Sequence, residues 1–100
     1  MAKKVSEVSN KQGFKIIVMP AIVQHSLFEQ NHCDLCGMPT DIENNVYYET
    51  VINQFYCEDC HKLYIASAER YKPDIKQEEE NFNKVKLKLE GANWWNKNLF

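Results

Sequence analysis

Between positions 16 and 61 the chain has no lysine and no arginine. The same stretch holds Glu29, Asp34, Asp41, Glu43, Glu49, Glu58 and Asp59. A surface that reads nucleic acid draws its affinity from cations that neutralise phosphates, so this central block is ill suited to that work. Long apolar runs are missing too. The most apolar stretch, 16–23, is interrupted by Pro20 and is too short to span a bilayer. The opening Met1-Ala2-Lys3-Lys4 leads into polar residues rather than the apolar segment of a secretory leader, so a cytoplasmic chain (or nuclear, in a eukaryote) is expected. There is no phosphate-binding loop, nucleophile motif, paired carboxylate in an acid–base setting or internal repeat. The segment 46–56 contains no histidine, which argues against a His–Asn–His nuclease. The expectation is a protein that is not an enzyme.

What the chain does have is two Cys-x-x-Cys pairs, Cys33/Cys36 and Cys57/Cys60, which use all four of its cysteines and are separated by twenty residues. Cysteines two residues apart can turn both sulfurs toward one point, and a second pair completes a tetrahedron at a Zn–S distance of about 2.3 Å. The spacing predicts one closed site of Cys33, Cys36, Cys57 and Cys60, holding one Zn²⁺ per chain. Rubredoxin-like iron uses the same two knuckles and stays as an alternative. A thioredoxin-type pair would come singly beside a βαβ pattern, and disulfides belong to secreted chains. His32 and His61 adjoin ligand cysteines and read as supporting or surface groups, since four thiolates already suffice. His25 reads as structural or exposed.

A chain of 100 residues has a thin core, so a metal contributes where burial cannot. Structural zinc brings an apparent binding energy of about 10–16 kcal/mol, and the central region is expected to unfold without it. Charge is divided along the chain: residues 1–15 carry net +3, 16–61 carry −7 and 62–100 carry +2. Four thiolates on Zn²⁺ add about −2 to the middle block.

The pattern divides into a flexible tail (1–13), a zinc-finger domain (14–72), an amphipathic C-terminal helix (73–91) and an aromatic tail (92–100). Residues 14–23 read as a strand with Pro20 at its edge or end. Leu27 and Phe28 are expected beside the metal site, and Gly37 in a tight turn past the second thiolate. Residues 46–56 read as a hairpin turning at Asn53-Gln54, its second arm delivering Cys57. Alternation should bury one member of Tyr47/Tyr48 and of Phe55/Tyr56 and expose the other. Beyond Cys57 the period becomes helical, with Cys60, Leu63, Tyr64, Ser67, Ala68 and Tyr71 on one face. Pro73 ends or kinks that helix. A second helix over 74–90 carries the narrow stripe Ile75, Phe82, Val85 and Leu89, and Gly91 is expected as its C-cap.

Knuckle, hairpin, ligand pair and helix, in that order, resemble a treble-clef finger. Tyr47-Tyr48 and Phe55-Tyr56-Cys57-Glu58-Asp59-Cys60 look like the closing half of a LIM-type finger, and more loosely the chain is similar to Gin-type anti-sigma factors. The resemblance implies a small α+β zinc-stabilised domain, with its last two ligands at the start of a helix. The expected function is a protein-interaction module, a small regulator or adaptor, with transcription or other nucleic-acid-handling machinery as the class of target. Its partner would be a protein with a basic surface, contacted through Ile75, Phe82, Val85, Leu89, Trp94 and Trp95. Two alternatives stand beside it. One is a nucleic-acid-binding zinc finger using the N-terminal lysines and Lys84, Lys86 and Lys88; the other is a redox carrier.

Overall fold

The computed structural model describes residues 5–8, 13–68 and 72–95. The β-branched and aromatic segments form four strands, β1 (Ser6–Val8), β2 (Ile16–Pro20), β3 (Asn45–Glu49) and β4 (Gln54–Cys57). They pair antiparallel in the order β1-β2-β3-β4. Three helices complete a small α+β fold: α1 (Ala21–Leu27), α2 (Glu58–Ser67) and α3 (Ile75–Gly91), the last preceded by a short 3₁₀ turn, Lys72–Asp74.

Side-chain alternation explains why both faces of the sheet are covered. On one face Ile17 lies opposite Tyr48, Met19 opposite Val46, and Tyr48 opposite Phe55. These residues form one core with Val5, Ala21, Val23, Phe82, Val85 and Leu89, so α1 and α3 share this side. The other face carries Tyr47 and Tyr56, which are cross-strand partners, and Glu49. There α2 packs, with Tyr64 edge-on to Tyr56 at 5.8 Å and tilted against Phe14 at 5.6 Å. Neither aromatic doublet therefore has an exposed member: Tyr48, Phe55 and Tyr56 are buried and Tyr47 is half-buried. The expected inward–outward split fails because a layer of helix lies on each side.

Several boundaries differ from expectation for identifiable reasons. Residues 6–8, assigned to a flexible tail, form an edge strand, and the preceding Val5 is fully buried. Pro20 does end its strand. Having no donor for the ladder, it hands the chain to α1, and the Ala21 N–H bonds to the Asn44 carbonyl at 2.9 Å. Leu27 and Phe28 pack against the α1/α3 core rather than beside the cysteines. On α2, Leu63 and Ser67 face solvent while Cys60 is buried and Tyr64 half-buried, so the inward face is narrower than the period suggested. Tyr71 lies outside the described residues.

The C-terminal helix corrects the interaction surface. Phe82, Val85 and Leu89 are buried in this chain's own core, with Trp94 and Trp95 packed against it, and only Ile75 of the stripe is exposed. The stripe closes the sheet of its own chain, because five apolar side chains on one short molecule gain more by covering Ile17, Met19 and Tyr48 than by facing water. The helix runs through Gly91 and its C-cap is Ala92, so Gly91 is not the cap. Asn93 takes the left-handed conformation at φ 66°, with Asn93 N–H bonded to Glu90 O at 3.0 Å and Trp94 N–H to Leu89 O at 2.8 Å. That pair of bonds is the Schellman pattern, and it delivers Trp94 back onto the core.

Candidate metal centre

The cysteines come from two rigid supports. Cys33 and Cys36 sit on a tight turn between α1 and β3, while Cys57 ends β4 and Cys60 lies in the first turn of α2. Gly37, at φ 75°, bends the chain beyond Cys36. Its N–H bonds to the Cys33 carbonyl at 2.9 Å, and the Cys33 N–H bonds to the Met38 carbonyl at 2.9 Å. The four sulfurs lie within 4.8 Å of one another, and all four cysteines are free of disulfides. A tetrahedral four-thiolate zinc with bonds of about 2.3 Å has sulfur–sulfur edges of about 3.8 Å, so this cluster is sized for such an ion. Thiolates are soft ligands and select Zn or Fe over Ca or Mg.

The surroundings act on the thiols unequally. Burial works against the Cys33 thiolate, yet backbone N–H groups around Cys36, Cys57 and Leu35 outweigh it and bring its pKa down to about 7. Burial pushes Cys57 and Cys60 up, and for Cys60 the neighbouring sulfurs add to the effect. A cation at the centre of the cluster reverses that crowding by neutralising the charge each sulfur must otherwise carry alone.

A second tier of bonds fixes the knuckle in place. Asp34 N–H donates to the Phe55 carbonyl at 2.8 Å, and its carboxylate Oδ2 accepts from the Phe55 N–H at 2.8 Å and from Gln30 Nε2 at 3.0 Å. The knuckle is thereby stitched to β4. At its base, Gln24 Nε2 donates to the His32 carbonyl at 3.0 Å and the Thr40 hydroxyl donates to Gln24 Oε1 at 2.7 Å. With that hydroxyl spent as a donor, His25 Nε2–H donates to Thr40 Oγ1 at 2.8 Å. His25 thus holds α1 to the segment after the knuckle. His32 pairs in a single bridge with Pro39 and stands 3.6 Å from Asp34.

His61 has the most distinctive setting of the three histidines. Its Nδ1 lies 2.7 Å from Glu49 Oε2, and its ring stacks on Tyr47 at 4.0 Å and 4°. Glu49 is fully buried and its Oε1 has no hydrogen-bond partner. Burial raises the Glu49 pKa and the His61 bond opposes that rise. The pair ties β3 to the helix that carries Cys60. Glu49, Asp34, Gln24 and Thr40 were not singled out from the sequence as supports of the site. Their common signal is only that each is a polar residue next to an apolar or ligand position.

The residues expected to meet a partner do not gather at this centre. Phe82, Val85 and Leu89 lie on the far side of the sheet, and Trp95 meets Phe82 edge-on at 5.9 Å. Among the described residues no helix is long and apolar enough to cross a membrane. No family model matches the chain, and neither a curated protein nor a solved structure matches it.

Proposed function

We propose that the chain is a zinc-stabilised protein-interaction module of treble-clef type, acting as a small regulator or adaptor. The observation that carries the metal assignment is the convergence of four free thiols within 4.8 Å. Treble clef is the reading supported by a knuckle at Cys33–Cys36, the β3–β4 hairpin, and a helix whose first turn bears Cys60. Four thiolates leave no open position on a tetrahedral ion, so the proposal gives the metal a structural role and the chain no catalytic one. The interaction role rests on an acidic block around that site and on a chain with little other equipment. Transcription or other nucleic-acid-handling complexes, whose proteins are rich in basic surface, are the target class proposed.

Metal analysis of the purified chain tests the first half: one zinc per chain is expected, and a red protein containing iron would favour a redox carrier instead. The second half is tested by affinity purification from the source cells followed by mass spectrometry. A specific protein partner is expected, and tight, salt-sensitive binding of DNA or RNA by the isolated chain would overturn the reading. The latter outcome is disfavoured because residues 16–61, which hold all four cysteines, contain no lysine or arginine.

A further inference from the structure

With the α3 stripe buried, the exposed apolar side chains of the metal centre become the notable surface. Leu35, Met38 and Ile42 are 54%, 64% and 54% exposed, and they fall within one short segment of knuckle and the connection to β3. The other large exposed apolar residues are spread singly over α1, the β3–β4 turn, α2 and α3. Isolated exposed apolar residues need no explanation, but a group on one pre-formed loop does. This loop is held by its bonds to β4 and by the His32–Pro39 bridge, so a ligand need not order it.

Charge indicates what covers it. Beside the knuckle lies a cleft of about 260 Å³ lined by Pro39, Asp41, Asn44, Cys57, Glu58 and Asp59. With Thr40 and Asn45 the lining comes to eight residues, of which Asp41, Glu58 and Asp59 are carboxylates, and Glu43 follows Ile42 directly in the sequence. The nearest cation in sequence, Lys62, stands 3.6 Å from Glu58 and offsets only that group. A four-thiolate zinc adds about −2 at the same spot. Phosphates and anionic membrane surfaces are repelled by such a face, and so is a second copy of it.

We infer that the segment carrying the exposed Leu35, Met38 and Ile42, together with the adjoining cleft lined by Asp41, Glu58 and Asp59, docks a segment of a partner protein that presents an apolar side chain flanked by lysine or arginine. This deepens, and rests on, the reading of the chain as a protein-interaction module. The apolar group supplies a buried anchor, and the surrounding carboxylates supply on-rate and selection against acidic competitors.

The test places a photocrosslinking benzoylphenylalanine at Met38 of the full chain in its source cells, and at Leu87 on α3, which is 72% exposed, as a control. The crosslinked segment is identified by mass spectrometry, and its synthetic peptide is titrated against zinc-loaded protein. The expected result is an adduct at Met38 with a segment rich in lysine or arginine. Peptide affinity should then fall at least about tenfold in L35S/M38S and in E43K/D59K, and less than about twofold in K84E. Unchanged zinc content and circular dichroism of these surface variants verify their folding. An adduct confined to Leu87 overturns this surface and leaves the interaction module standing. A self-adduct, or a crosslinked segment that is acidic, overturns the stated partner chemistry. Absence of any adduct at both positions, together with no partner in affinity purification, overturns both readings.

Discussion

Cys33 and Cys60 are the two buried cysteines of the candidate site, and Cys36 is exposed. Substituting either buried cysteine by serine leaves three thiolates around a buried hydroxyl, so bound zinc should drop from one per chain to well below one after dialysis against a competing chelator. Asp34→Ala retains every thiol and the backbone bond to the Phe55 carbonyl, but removes the carboxylate that accepts from the Phe55 N–H. It should weaken zinc by about 10–100-fold, the usual effect of losing an outer support. Glu49 offers a pH signature. Its folded pKa is raised above the ordinary 4.5, so the folded chain holds the proton more tightly than the unfolded one. The stability this group contributes is thus complete below pH 4.5 and is lost as pH climbs from there through the raised value. Denaturant unfolding of the wild type and Glu49→Gln across that window should show the difference between them shifting in favour of the variant as pH rises. A constant difference would mean that the carboxylate is as comfortable inside as in water.

At the scale of elements, periodicity and turn chemistry made some of the fold legible. The hairpin around Asn53 and the helix after Cys57 follow from a run of β-branched and aromatic residues, a residue suited to left-handed φ, and acidic side chains in a helix's first turn. What the sequence concealed is where each surface goes. Helix α1 hides inside an apolar run whose period cannot separate strand from helix, and only the structure shows the switch at Pro20. The apolar stripe of α3 is narrower than the helix's buried face because two residues of that face, Glu78 and Asn81, are polar. Glu78 accepts from the Lys15 N–H at 2.9 Å, and Asn81 Nδ2 donates to the Thr50 carbonyl at 2.7 Å. These satisfied polar groups widen the buried face without adding apolar residues. The consequence is measurable by thermal or urea unfolding. Leu89→Ala should cost about 2–5 kcal/mol, whereas Ile75→Ala, at the exposed end of the same stripe, should stay within about 0.5 kcal/mol. Equal, small effects would return the stripe to the surface and to a partner.

For the whole molecule, the sheet separates two cores of different kind. One is apolar and joins α1, α3 and the sheet through Ile17, Met19, Tyr48, Phe55, Phe82 and Leu89. The other is small, built from Cys33, Tyr56 and Cys60 with Cys57 and Tyr64 against it. Only the second contains cysteines of the candidate metal site, so removing a bound metal should not act evenly. The knuckle and the first turns of α2 lose their centre, while β2, β3 and α3 keep theirs. Hydrogen exchange of the chain with and without a strong chelator should show protection falling first and most at residues 33–40 and 58–64. Amides of β2 and of α3 around Val85 should keep theirs until denaturant or heat unfolds the remainder. Uniform loss of protection would mean that the apolar core cannot stand without the metal, and that a single cooperative unit spans both faces of the sheet. A split response would assign the two faces separate work: one holds the fold together, and the other holds the knuckle rigid enough to present Leu35 and Met38.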